Sequence, residues 1–283
     1  YALEATWDGR DFQGAPGSVL FPAGIDVTDQ EVVLVDRGNH RIQSFSHDGQ
    51  LRAAWGRRGS GSGELLEPND VFAAGDTLYV ADTGNGRIVE FAAGGIARSE
   101  TSIAGLTRPW AVASRQGDLV VTDRDSRQAV IARDGSVVAR LSGLIEPMGV
   151  DVGSDGAIYV ADRAASRIAI YAPDGTARGS LATNLPPIDV AVDPLGDLYV
   201  QSAGAVLWYP NGSGASRQAL YYPGMQGLAV HMRNGVFATV ARTDARQGPW
   251  FHGFLRWPWQ PTNDVPPVEK GLLSFPPGRL SEP

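Results

Sequence analysis

The side chains that carry chemistry are thinly spread in this chain. It has four histidines, His40, His47, His231 and His252, and no cysteine. No HExxH pair occurs, and His40 and His47 should point to opposite faces, so a histidine metal centre is not expected. Without cysteine there is no thiolate nucleophile and no disulfide. Neither a Gly-x-Ser-x-Gly elbow nor a phosphate loop is present. Carboxylates recur instead. Asp36, Asp82 and Asp162 are each followed five residues later by an arginine: Arg41, Arg87 and Arg167. That spacing sets the guanidinium across a short turn from the carboxylate, an ion pair that closes a hairpin rather than catalyses.

More informative positions follow prolines. Pro22, Pro68, Pro109, Pro147, Pro187 and, loosely, Pro223 begin copies of one unit. It reads FPAGIDVTDQEVVLVDRGNHRIQSFSHDGQ at 21–50. It returns as EPNDVFAAGDTLYVADTGNGRIVEFAAGG at 67–95 and EPMGVDVGSDGAIYVADRAASRIAIYAPDG at 146–175. Each copy reads as four short strands: one after the proline, one apolar on both faces, one alternating, and one past a turn such as Asp174-Gly175. Four-stranded sheets repeating at about 40 residues are the unit of a radial propeller.

We therefore expect an all-β fold, a six-bladed β-propeller of four-stranded antiparallel blades over 1–257, with repeats starting near 22, 68, 109, 147, 187 and 223. Leu3–Trp7 reads as a fourth strand with no blade before it, and the sixth copy lacks one. The N-terminal strand should thus close the last blade and remove an open sheet edge. Residues 258–283 carry seven prolines and read as an extended strap or linker.

Composition narrows the function classes. Of 283 residues, 31 are acidic and 24 basic, a net charge of -7, which disfavours nucleic acid or an anionic membrane as partner. No run of eighteen apolar residues exists to span a bilayer. The chain opens on Tyr1, which reads as a mature product and tilts the expected location toward secreted or periplasmic. A monomer is expected, because a closed ring leaves no edge to pair.

The repeat resembles the NHL repeat, through P-x-G-I/V-x-V, YVAD and D-x-x-N-x-R-I. These stand here at Pro22–Val27, Asp36–Ile42, Tyr79–Asp82, Asp82–Ile88 and Tyr159–Asp162. The pattern decays along the chain. Ser126 and Gln128 replace Asn and Arg in the third copy, Ala165 replaces Asn in the fourth, and Ser202 replaces Asp in the fifth. The resemblance implies a propeller and names no activity. Enzymes similar in fold include a lyase that opens cyclic streptogramin antibiotics and an amidating lyase of glycine-extended peptides. Both are metal-dependent with histidines near the axis, and no matching histidine set stands here.

In such a ring the first strand of each blade lines the channel. The loops before the first strand and after the second share one face, where unlike residues converge. The positions after the prolines differ from copy to copy: Asn69, Asp70, Trp110, Met148, Asp189 and Gln226. Trp110 is the foremost candidate for stacking on a ligand. The second loops add Arg37, His40, Arg124 and Arg242, and the enlarged sixth copy adds Trp250 and His252. The arginines make this face read as locally basic. The expected function is a binding, scaffolding or sensor propeller presenting this face to a protein, peptide or small anionic ligand. The alternative is a lyase or hydrolase acting in the channel on a small or peptidic substrate. No cofactor is expected; the options left open are calcium on channel acids and zinc on histidines.

Overall fold

The computed structural model describes residues 5–8, 19–47, 49–212, 217–221, 225–231, 235–242 and 251–257. These form six four-stranded antiparallel sheets. The first holds β2 (Pro22–Val27), β3 (Val32–Asp36), β4 (Arg41–Phe45) and β5 (Leu51–Trp55). The second holds β6 (Asp70–Ala74), β7 (Thr77–Asp82), β8 (Arg87–Ala92) and β9 (Ala97–Thr101). The third holds β10 (Pro109–Arg115), β11 (Asp118–Asp123), β12 (Gln128–Arg133) and β13 (Ser136–Arg140). The fourth holds β14 (Pro147–Val152), β15 (Ile158–Asp162), β16 (Arg167–Tyr171) and β17 (Ala177–Ala182). The fifth holds β18 (Asp189–Val192), β19 (Leu198–Ser202), β20 (Ala205–Tyr209) and β21 (Arg217–Tyr221).

The remaining sheet joins β22 (Met225–His231), β23 (Gly235–Arg242) and β24 (Phe251–Trp257) to β1 (Ala5–Asp8). Ala5 pairs with Arg256 and Asp8 with Gly253. This corrects the expectation of six repeat-built blades. Five blades are self-contained, each one continuous stretch of chain with its strands in sequence order. The last sheet is a composite drawn from two distant stretches of chain rather than one continuous stretch. The innermost strands β2, β6, β10, β14, β18 and β22 pack in that order, and β22 packs back onto β2.

Burial follows strand position. Every residue of β3 is buried, because a second strand is covered on both faces by neighbouring blades. The outermost strand β17 is almost wholly exposed. Its Gly179 and small polar residues suit an edge that faces water. Between blades run apolar layers, such as Val33, Val35 and Ile42 against Val71, Val80 and Phe91.

The turn carboxylates tie each blade to the loop before it. Asp82 is fully buried. It accepts bonds from Leu66 N (2.7 Å), Asn85 Nδ2 (2.8 Å) and Arg87 Nε (2.9 Å). Asp36 does the same with Leu20 N, Asn39, Arg41 Nε (2.7 Å) and Gln43 Nε2. Asp162 receives Ile145 N, Glu146 N and Arg167. The five-residue Asp-to-Arg spacing is thus a structural clamp. In the fifth blade Ser202 holds this place and donates only to Leu185 O at 3.4 Å. There the second loop shrinks to Ala203-Gly204, both at positive φ, as a two-residue hairpin demands.

Candidate functional site

The inner strands β2, β10, β14 and β22 start with an irregularity that aims side chains at the channel mouth, whereas β6 and β18 pair in regular register. In β2 the register slips between Pro22 and Ile25, in β10 between Pro109 and Ala111, and in β14 between Pro147 and Val150. The extra residue of such a bulge turns its neighbours out of the pleat. The residues one and two places after Pro22, Pro68, Pro109, Pro147 and Pro187, with Gln226 and Gly227, converge on a cavity of about 300 Å³.

Eight of the residues singled out from the sequence line it: Trp110, Asn69, Asp70, Arg37, Arg124, Met148, Asp189 and Gln226. Arg163, Ile188 and Phe21 join them. His40 does not. It adopts a left-handed conformation (φ 56°), and its Nδ1 accepts a bond from Glu67 N at 2.9 Å. Its ring thereby ties the first blade's turn to the next blade's loop, and burial lowers its pKa. Arg242 pairs with Phe251 and Ala241 with His252 across β23 and β24, and the side chains of Arg242 and His252 are not described. Trp250 lies outside the described residues. His47 is half-buried, with Nε2 2.9 Å from Thr28 O.

The floor is acidic. Asp70 and Asp189 line the cavity from blades two and five, three places apart in the ring. Asp26 and Asp151 stand two residues further along the inner strands of blades one and four. All four bind the next blade's inner strand. Asp26 Oδ2 receives Ala73 N (2.7 Å), Asp70 Oδ2 receives Val112 N (3.0 Å), Asp151 Oδ2 receives Val192 N (2.8 Å) and Asp189 Oδ2 receives Leu228 N (2.9 Å). The other oxygen of Asp26, Asp151 and Asp189 receives the N–H of its own next residue.

These amides do not outweigh burial. Desolvation raises Asp26 to about 6, Asp151 to about 7 and Asp189 to about 7. Burial, then the charge of Asp189, pushes Asp70 well above the ordinary range. Asp189 therefore carries a proton for part of the time near neutrality, and Asp70 holds its proton well above the ordinary carboxylate range, both at the wall of a cavity.

The rim is less basic than the sequence implies. Arg37 lies 3.9 Å from Glu67, and Arg108 lies 3.5 Å from the same carboxylate. Arg124 and Arg163 share Glu146 at 3.0 and 3.3 Å. Both glutamates immediately precede a repeat proline. Arg124 also lies over the Trp110 ring, 5.4 Å from its centroid, a cation–π contact. Asn69 Nδ2 donates to Trp110 O at 2.8 Å, so rim and floor are held as one lattice. Among the described residues no group of three or more His, Asp or Glu side chains is arranged to hold a metal ion. No described helix is long and apolar enough to cross a membrane.

Sequence reading missed Asp26, Asp151 and the pairing of the arginines. A signal for the first two exists: GID at 24–26 and GVD at 149–151.

No family model matches the chain. The resemblance to NHL repeats is therefore not sustained as a family assignment. The recurring D-x-x-N-x-R pattern reports the hydrogen-bond needs of a turn, as Asp82, Asn85 and Arg87 show. The chain is 24% identical over 163 residues to the protein brain tumor of Drosophila melanogaster, spanning 56% of this chain and 12% of that protein. It is similar in structure to a gluconolactonase from Xanthomonas campestris, with TM-score 0.65 and 18% identity over 84% of this chain and 86% of the other. It is also similar to a streptogramin B lyase, with TM-score 0.62 and 11% identity over 92% and 88%. At these identities the likeness is one of fold.

Proposed function

We propose that the chain is a hydrolase or lyase that acts at the channel mouth on a small or peptidic substrate, with Asp70 and Asp189 as its proton carriers. The observation that carries this reading is the pair itself: two carboxyls on the floor of one cavity, both raised above the ordinary carboxylate range by burial, Asp189 to about 7. A group that titrates near working pH exchanges protons most effectively. One, ionised, takes a proton from water or from an acidic carbon of the substrate. The other, protonated, gives its proton to the departing oxygen or nitrogen, and the pair then resets through solvent. The names of the two enzymes similar in fold accord with such chemistry.

The test is acid release from γ-butyrolactone and p-nitrophenyl acetate across pH 5–9. Asp70→Asn and Asp189→Asn should each lower the rate by about a hundredfold or more. A rate that both variants leave intact, or no turnover of either probe, counts against the reading. A second reading is a binding propeller that presents this face to a protein. It is favoured by the Arg–Glu pairs of the rim, which can exchange partners with charged groups on another surface. Binding without turnover would support it.

A further inference from the structure

A longer repeat runs beneath the single-blade one. Blades one to three and blades four to six carry the same channel chemistry in the same order. Gly24 and Asp26 in β2 answer to Gly149 and Asp151 in β14. Gly24 N donates to Asn69 O (2.8 Å), and Gly149 N donates to Ile188 O (3.0 Å). Asp70 and Asp189 then bind the following strand in the same way. In the third member Thr122 Oγ1 receives Ala111 N and donates to Met148 O. In the sixth, Thr239 Oγ1 receives Gly227 N and donates to Ala23 O. The last bond closes the ring as Thr122 joins the two halves.

The glycines are part of this device. A Cβ on Gly24 would stand 2.6 Å from Asp70 Cα, and one on Gly149 would stand 2.8 Å from Asp189 Cα. In each case the carboxylate oxygen would be closer still. Only a bare backbone lets the next blade's carboxylate sit there.

Where the halves agree they hold the carboxyls; where they differ they shape the ligand. Asn69 is replaced by Ile188, and Ala23 by Met148. Asn69 accepts from Arg37 Nη1 (3.4 Å) and donates to Trp110 O. Ile188 does neither, and Arg163, the counterpart of Arg37, turns to Glu146. One side of the cavity is thus a hydrogen-bonding wall. The other is apolar, built of buried Met148 and half-buried Ile188.

We propose that the cavity is two copies of one half-site, and that its ligand is a small molecule with a hydrogen-bonding end toward Asn69 and a compact alkyl group against Met148 and Ile188. This rests on the cavity being the working site, and it adds the class of molecule.

Calorimetric titration with methyl, butyl and hexyl β-D-glucopyranoside tests it without any turnover. Affinity should rise about twofold per methylene, half-burial of the roughly fourfold that full burial gives. Butyl should then bind about eightfold tighter than methyl. Ile188→Asn should reduce that preference to less than twofold, and the milder Ile188→Ala, which keeps a small apolar side chain, to about threefold. Equal binding of methyl and butyl, no binding of any member, or a preference that both variants leave intact overturns the inference. A flat series beside proton-dependent turnover sinks only the half-site specificity. A steep series without turnover sinks only the acid–base reading.

Discussion

Asp151 offers the sharpest test of the electrostatics, because it lies outside the cavity lining and its variant reports on folding alone. Both of its oxygens accept backbone N–H groups, Val152 N at 2.7 Å and Val192 N at 2.8 Å. Asparagine supplies one oxygen and one NH2, so one of those amides loses its acceptor and faces a donor. That costs about 1–3 kcal/mol. Against it stands the cost of the native charge. Burial, opposed by the two amides and reinforced by Asp26 and Asp189, raises the carboxyl from 3.8 to about 7, which is worth roughly 4 kcal/mol at ~1.4 kcal/mol per unit. Because the folded value is the higher one, the folded state holds the proton more tightly. The associated stability is fully present below the unfolded value of 3.8 and is lost as pH rises through about 7. Asp151→Asn should therefore destabilise at pH 4, by about 1–2 kcal/mol. At pH 8.5 it should stabilise, by about 2 kcal/mol, because the wild type then carries the unfavourable charge. Urea unfolding of both proteins at the two pH values reads the difference. A difference that is the same at both, within about 1 kcal/mol, would refute the claim that burial governs this carboxyl.

Two further outcomes follow from the packing. Asp82→Ala removes the acceptor of Leu66 N and leaves Arg87 and Asn85 beside an uncharged, buried gap. It should cost about 3–5 kcal/mol, read as a lowered urea midpoint, whereas Asp174→Ala on an exposed turn should cost under about 1 kcal/mol. Gly149→Ala forces Asp189 aside and should cost about 1–3 kcal/mol; carbon-13 carboxyl titration should then show Asp189 moving toward its ordinary value while Asp26 stays raised.

The architecture was legible because its determinants are local. A proline, a run such as Val32–Val35 and an Asp-to-Arg turn lie within one unit, so each copy announces itself. Six of the eight cavity residues were found by the same logic, from their place after a proline, and Arg37 and Arg124 from the loop after the second strand. What escaped depends on neighbours in other blades. Asp26 gains its meaning from Ala73 N, forty-seven residues away. The arginines lose theirs to Glu67 and Glu146, carried on the loops before other blades. The half-molecule repeat of Gly24 and Asp26 was hidden under the stronger blade repeat. The family assignment was misjudged because turn chemistry alone reproduces the motif.

The composite sheet also sets a schedule for the ribosome. Ala5–Asp8 leaves the tunnel well before its partner Phe251–Trp257, which emerges only after the other described strands have been made. At about 5–20 residues per second, the N-terminal strand waits roughly 12–50 s with its edge bare. The five self-contained blades form meanwhile, each without help from a later one. Charged and turn-forming residues that keep the waiting strand from pairing with another would then matter for yield of the protein rather than for its final stability.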